Sequence, residues 1–208
     1  MKLLPAALAL SPLLFAGDTI EAFGLRWRAP VAADWKLEQA SGGPVLHLLT
    51  AKPALQPRRP SQYVLADTPD YARVTVELEI KQEPEAARKR RTSVILVYAW
   101  RDENHFNYAH LSVDTGKQQP VHNGIFHVYG GDRVRISSEE GPATLNGEDW
   151  HKVRLVYEGT TGRVEVYSNG KTSPSMRAVD LSLGAGKVGI GSFFDMGSFR
   201  AVKITGDH

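Results

Sequence analysis

The side chains able to do chemistry crowd into the stretch from Tyr98 to Arg135. If Phe106 to Val113 is extended, Tyr108 and His110 project from one face, because residues two apart on a strand point the same way. The same spacing pairs His127 with Tyr129 on a strand starting near Ile125, and Tyr98 with Trp100 on the apolar strand before the turn. His105 falls in the turn, His122 and Asn123 in the intervening loop, and Arg133 just beyond. Rings of this kind lie against the C–H face of a pyranose, while amide, imidazole and guanidinium groups bond its hydroxyls. These ten residues form the candidate binding set. The competing reading leaves Tyr98 and Trp100 in a core and scatters the histidines.

A catalytic chemistry uses the same residues. His110 or His127 as base, Tyr108 or Tyr129 as acid, and Arg133 to neutralise a uronate carboxylate would serve β-elimination on a polysaccharide. No contiguous motif demands it, so no catalytic residue is assigned and enzymatic activity stays open. A retaining glucanase needs two carboxylates about 5–5.5 Å apart. Glu77 and Glu79 have suitable spacing but occupy the polar face of an ordinary amphipathic strand. No His-Glu-x-x-His helix or regularly spaced acidic loop marks a metal site. No cofactor is therefore expected, although Asp102, Glu103 and Asn104, or Asp195, are compatible with a structural calcium. The basic run Arg88-Lys89-Arg90-Arg91 suits an acidic polymer, or simply a solvated loop guarding an edge strand.

The elements that must position these groups are strands. Arg73 to Ile80 alternates polar and apolar residues, as do Lys152–Leu155, Arg163–Tyr167 and Arg133–Ile136. Such period-2 patterning predicts antiparallel strands with one wet face. Asn123-Gly124, Asn146-Gly147 and Asn169-Gly170 supply residues that tolerate the positive φ of tight turns. Val94 to Trp100 is apolar on both faces, so it belongs mid-sheet, covered on both sides or flooring an aromatic groove. It returns through the polar turn Arg101–His105 as Phe106–Val113, a central hairpin. The short segment Glu83–Arg91 lacks an apolar face and reads as a loop with at most one helical turn. Residues 17–60 are expected to add edge strands and a long wrap.

The chain has 208 residues, 42% hydrophobic and 23% charged, an ordinary balance for a globular domain. A net charge of +2 gives no reason to expect nucleic acid as a partner. Met1-Lys2 precedes an apolar run that ends at Ala16 and is interrupted by Pro5 and Pro12, too short to span a bilayer. It reads as a signal peptide, residues 1–16, with cleavage after Ala22 as the fallback. A secreted or periplasmic location follows as the expectation, with residues 17–208 as one domain and no membrane span. The absence of cysteine excludes thiol nucleophiles and thiolate metal sites.

Toward the C-terminus, Trp150-His151-Lys152-Val153-Arg154-Leu155 is followed by Gly162–Tyr167 running to Asn169-Gly170. Gly189-Ile190-Gly191-Ser192-Phe193 and a strand from Phe199 to Ile204 come next. With Asp102-x-x-His105-Phe106-x-Tyr108, this order resembles the concanavalin A-like lectin/glucanase superfamily, which includes laminin-G-like and 3-keto-disaccharide hydrolase domains. The resemblance covers roughly residues 70–206 and implies an all-β, antiparallel two-sheet jelly roll. Lectins, hydrolases, lyases and adhesion modules share that fold. The paired acids of its glucanases and the Gln-x-His strand motif of its alginate lyases are missing, so no family catalytic residue transfers. The expectation is an exported protein that binds a polysaccharide or glycoside on a sandwich face. The alternatives are a lyase using His and Tyr or a keto-glycoside hydrolase, and a structural or adhesion module that binds protein.

Overall fold

A computed structural model describes residues 18–83, 93–138, 140–147 and 149–208. Strands are numbered in chain order. One sheet runs β1 (Asp18–Ala22), β2 (Leu25–Ala29), β5 (Gln62–Ala66), β14 (Lys187–Ser192), β7 (Ser93–Asp102), β8 (His105–Ser112), β9 (Gly124–Tyr129) and β10 (Val134–Arg135). The other runs β13 (Met176–Val179), β12 (Arg163–Ser168), β11 (His151–Glu158), β6 (Arg73–Glu83), β15 (Met196–Asp207), β4 (Gly43–Leu48) and β3 (Trp35–Ala40). Every pairing between these strands is antiparallel. The sole helical piece among the described residues is a 3-10 turn at Ala32–Asp34.

Alternation decides which residues meet between the sheets. Val74, Val76, Leu78 and Ile80 of β6 pack with Val153, Leu155 and Tyr157 of β11 and with Val94, Leu96 and Tyr98 of β7. The outer face of the seven-stranded sheet is polar, as one-sided burial requires. The outer face of the eight-stranded sheet is not. There Tyr63, Leu65, Ile95, Val97, Phe106, Tyr108, Phe126 and Val128 form a second buried cluster with Phe193. Its cover is the segment between β4 and β5. That segment leaves the far sheet and reaches across to the turn before β10, where Arg133 N donates to Arg58 O at 3.0 Å and Arg58 N to Asp132 Oδ1 at 2.6 Å. β7 therefore sits mid-sheet and covered on both sides, as its apolar sequence requires.

Three expectations change. Tyr98 and Trp100 do not share a face: Ala99 adopts φ 49° at a break in the β7–β8 register, and this bulge turns Tyr98 into the inter-sheet core and Trp100 outward. Arg133–Ile136 supplies only the two-residue β10, because Arg133 is drawn onto the outer face. Asn123-Gly124 is not a hairpin turn; it ends the 113–123 loop, with Asn123 buried at φ 41°. The signal segment 1–16 and the basic run Arg88–Arg91 lie outside the described residues.

Candidate functional site

The candidate site grows from β8, where alternation sends Phe106, Tyr108 and His110 outward. Arg133 reaches down onto them: its Nη1 donates to Tyr108 Oη at 2.9 Å and to His110 Nδ1 at 3.3 Å. Because Nδ1 accepts, the His110 proton sits on Nε2, which donates to Ser93 Oγ at 2.6 Å. The Ser93 hydroxyl then donates to Asp195 Oδ2 at 3.2 Å, and the Ser93 amide to the same oxygen at 3.1 Å. Tyr108 is 0% and His110 2% exposed. Burial, then the Arg133 charge, hold His110 well below the ordinary imidazole value, so it is neutral. Burial pushes the Tyr108 phenol up, against the pull of Arg133. Neither imidazole nitrogen keeps a free lone pair for a substrate proton.

Arginines and phenylalanines alternate across this face. Arg135 and Arg133 each place their guanidinium carbon 4.8 Å from the Phe126 ring centre. Arg133 lies 4.2 Å and Arg58 5.8 Å from the centre of Phe193. Guanidinium over a ring is attractive, and more so where water is excluded. Arg135 also bonds the carbonyls of Pro120, His122, Asn123 and Ser138, which ties the 113–123 loop to β10. Gly124 leaves room for it: a Cβ there would collide with the Arg135 guanidinium.

Beside this framework opens a cavity of about 500 Å³, lined by Arg58, Asp114, Gln118, Gln119, Val121, His122 and Phe194. His122 forms its inner wall, its ring centre 5.1 Å from that of His110 and its Nδ1 donating to Asp114 Oδ1 at 2.8 Å. Gln118 folds back on Thr115, whereas the Gln119 side chain, exposed on the rim, makes no hydrogen bond among the described residues. Asn123 is scaffold: its Oδ1 accepts from Ser112 N, Thr144 N and Thr144 Oγ1, and its Nδ2 donates to Asp114 O.

The remaining candidates, Trp100 apart, point the other way. His127 and Tyr129 share a face as expected, but it is the inward face of β9, opposite to Phe126. His127 Nδ1 lies 2.9 Å from Asp180 Oδ2 and 2.8 Å from Asn107 Oδ1. Asn107 Nδ2 donates to the same carboxylate at 2.8 Å. Burial alone would raise the Asp180 carboxyl; hydrogen bonds from Ser182 and Asn107, with His127 nearby, hold it below the usual range. Tyr129, 61% exposed, stacks on His127 and meets His105 edge-on, while His105 pairs with Asp102 at 2.8 Å. Tyr98 is wholly buried against Tyr157, and Trp100 donates from Nε1 to Tyr63 Oη at 3.2 Å.

The ten residues thus divide. Tyr108, His110, His122, Arg133 and the supporting Asn123 gather at the outer face. Tyr98, His127, Tyr129 and His105 belong to the inner face and its rim, and Trp100 joins the outer-face cluster through Tyr63 without lining the cavity. Of the β-elimination set, His110, Tyr108 and Arg133 do meet, but His110 and Tyr108 are buried and hydrogen-bonded to Arg133, whereas His127 and Tyr129 lie across the sheet from it. Glu77 and Glu79 border a groove of about 490 Å³ on the opposite outer face, but Arg200 Nε holds Glu79 at 2.7 Å. Asp195 faces Ser93, and Asp102 faces His105 and Asn104 N. Among the described residues no three His, Asp or Glu side chains converge on a common point. Sequence reasoning missed Gln118, Gln119, Phe193 and Phe194, and weighed Arg58 only within Arg58-Arg59-Pro60, as a basic pair that binds an acidic polymer or simply pins a loop. No local signal joined Arg58 to Phe193, since only the crossing of the β4–β5 segment brings them together.

No protein-family model matches the chain, and no curated protein matches it in sequence. Solved structures do. Carbohydrate-binding module CBM66 from Bacillus subtilis aligns with TM-score 0.60 at 14% identity, over 86% of this chain and 94% of that one. A candidate glycosyl hydrolase from Parabacteroides distasonis gives 0.54 at 14% identity, over 94% and 93%. Lectin I-B4 from Griffonia simplicifolia gives 0.52 at 11% identity, over 84% and 92%. At these identities the likeness establishes the fold: a concanavalin A-like jelly roll.

Proposed function

We propose that this jelly roll is an exported carbohydrate-binding protein whose site is the outer-face cavity walled by His122, Arg58 and Gln119. The observation that carries the reading is the convergence of guanidinium, imidazole and carboxamide groups on one cavity beside the Phe194 ring. That is the donor set and apolar surface a sugar requires. Binding rather than catalysis is favoured because both His110 nitrogens and the Tyr108 hydroxyl are occupied internally. The names of two structural relatives, a carbohydrate-binding module and a lectin, agree with this reading. Export rests on the N-terminal segment. Cleavage after Ala16 would leave β1 intact, whereas cleavage after Ala22 would remove a strand that pairs with β2 from Asp18 to Ala22.

Calorimetric titration with a panel of neutral and acidic oligosaccharides tests the site. Gln119→Ala and His122→Ala should each weaken the best ligand by roughly 5- to 10-fold, the worth of one or two hydrogen bonds. Tyr129→Ala, on the other side of the sheet, should leave affinity unchanged. Absence of saccharide binding, or loss at Tyr129 instead, would overturn the reading.

A further inference from the structure

We infer that the saccharide taken by this site is anionic, with a uronate carboxylate seated against Arg58 and Arg133. The inference rests on the binding reading above and adds the ligand's charge. Arg58 and Arg133 lie over the same Phe193 ring, yet neither forms an ion pair with a carboxylate among the described residues. The neighbouring acids are committed elsewhere. Asp114 takes hydrogen bonds from His122 and Ser112, Asp195 takes them from Ser93, and Asp132 accepts from the Arg58 backbone rather than its guanidinium.

Arg133 is also fixed in place. Its Nη1 is spent on Tyr108 and His110, and its plane is held between Phe126 and Phe193. Its Nε and Nη2 donate to no protein acceptor among the described residues, although the side chain is half-buried. A guanidinium held this way loses little entropy when a carboxylate takes its remaining donors. His110 contributes by staying neutral: a protonated imidazole would present N–H to Arg133 and add a like charge. Two like charges gathered on one ring, with no carboxylate partner among the described residues, repel each other in the free protein. A bound anion relieves that repulsion, whereas a neutral sugar does not.

Isothermal titration with oligogalacturonate and oligomannuronate, against uncharged oligogalactose and oligomannose of equal length, tests this. The expected result is at least 10-fold tighter binding of an acidic oligomer, weakening as NaCl rises from 20 to about 300 mM. Arg58→Gln, an exposed change that keeps the backbone contacts of the segment, should remove most of that preference; Arg133→Gln should do the same if its melting temperature is retained. Neutral oligomers bound as tightly as acidic ones, or an acidic preference unchanged in Arg58→Gln, would overturn the inference and leave carbohydrate binding standing. Binding of neither class would overturn both.

Discussion

At the scale of single residues, the site is held by side chains that spend their hydrogen bonds inside the protein. Asn123 is the clearest case. Its carboxamide serves Ser112, Thr144 and Asp114 from a backbone in the left-handed region, which asparagine tolerates better than most residues. Asn123→Ala would strand buried donors and keep the unfavourable φ. We expect a loss of about 3 kcal/mol in urea unfolding, with saccharide affinity falling because the loop carrying Gln119 and His122 loses its anchor. His110 works differently: its value lies in the tautomer it imposes, which lets Arg133 donate to it and remain the only cation of that pair.

Among the elements, the decisive ones are the bulge in β7 and the segment between β4 and β5. The bulge at Ala99 sends one aromatic inward and the next outward, so the hairpin serves both cores. The crossing segment closes the outer face and delivers Arg58 to Phe193. A third device spans the two sheets. Asp180 follows β13 in the seven-stranded sheet, yet it accepts from Asn107 of the eight-stranded one and lies 2.9 Å from His127 Nδ1. Replacing Asp180 with Ala leaves the buried Asn107 amide without its acceptor and the half-buried His127 without its carboxylate neighbour. Unfolding free energy should drop by roughly 2–4 kcal/mol, while saccharide titration of the folded variant should match the parent, since the latch lies on the far side of the sheet from the cavity.

For the whole molecule, the titration of these groups makes stability depend on pH with a definite sign. His110 binds its proton less readily folded than unfolded. Its contribution is thus complete above the unfolded imidazole value of about 6.5 and declines as pH falls below it. Asp180 has a folded value below its ordinary one, so its contribution persists to lower pH and fades as the medium passes through and below the usual carboxylate range near 4. Thermal melting recorded from pH 8 to pH 3 should fall in two stages. The upper stage should be absent in His110→Gln, and an upper stage that survives this change would contradict the assignment.

Much of this protein could be read from residue order alone. Alternation in β6, β11 and β12 names the core-facing residues, because a strand's period of two leaves no freedom once one face must be dry. The doubly apolar β7 announces its central place for the same reason, and the pairing of Tyr108 with His110 follows from spacing. What order alone leaves open is which strands adjoin and which face each pair adopts. Tyr98 and Trp100 look like partners until a single left-handed residue reverses one of them. His127 and His110 look like one site until the pairing of β8 with β9 puts them on opposite sides. The outer-face site depends on Arg58 meeting Phe193, 135 residues apart in number and joined only where a segment crosses a sheet. Periodicity is a local property and survives in the sequence; adjacency arises from non-local packing, and only the tertiary structure decides it.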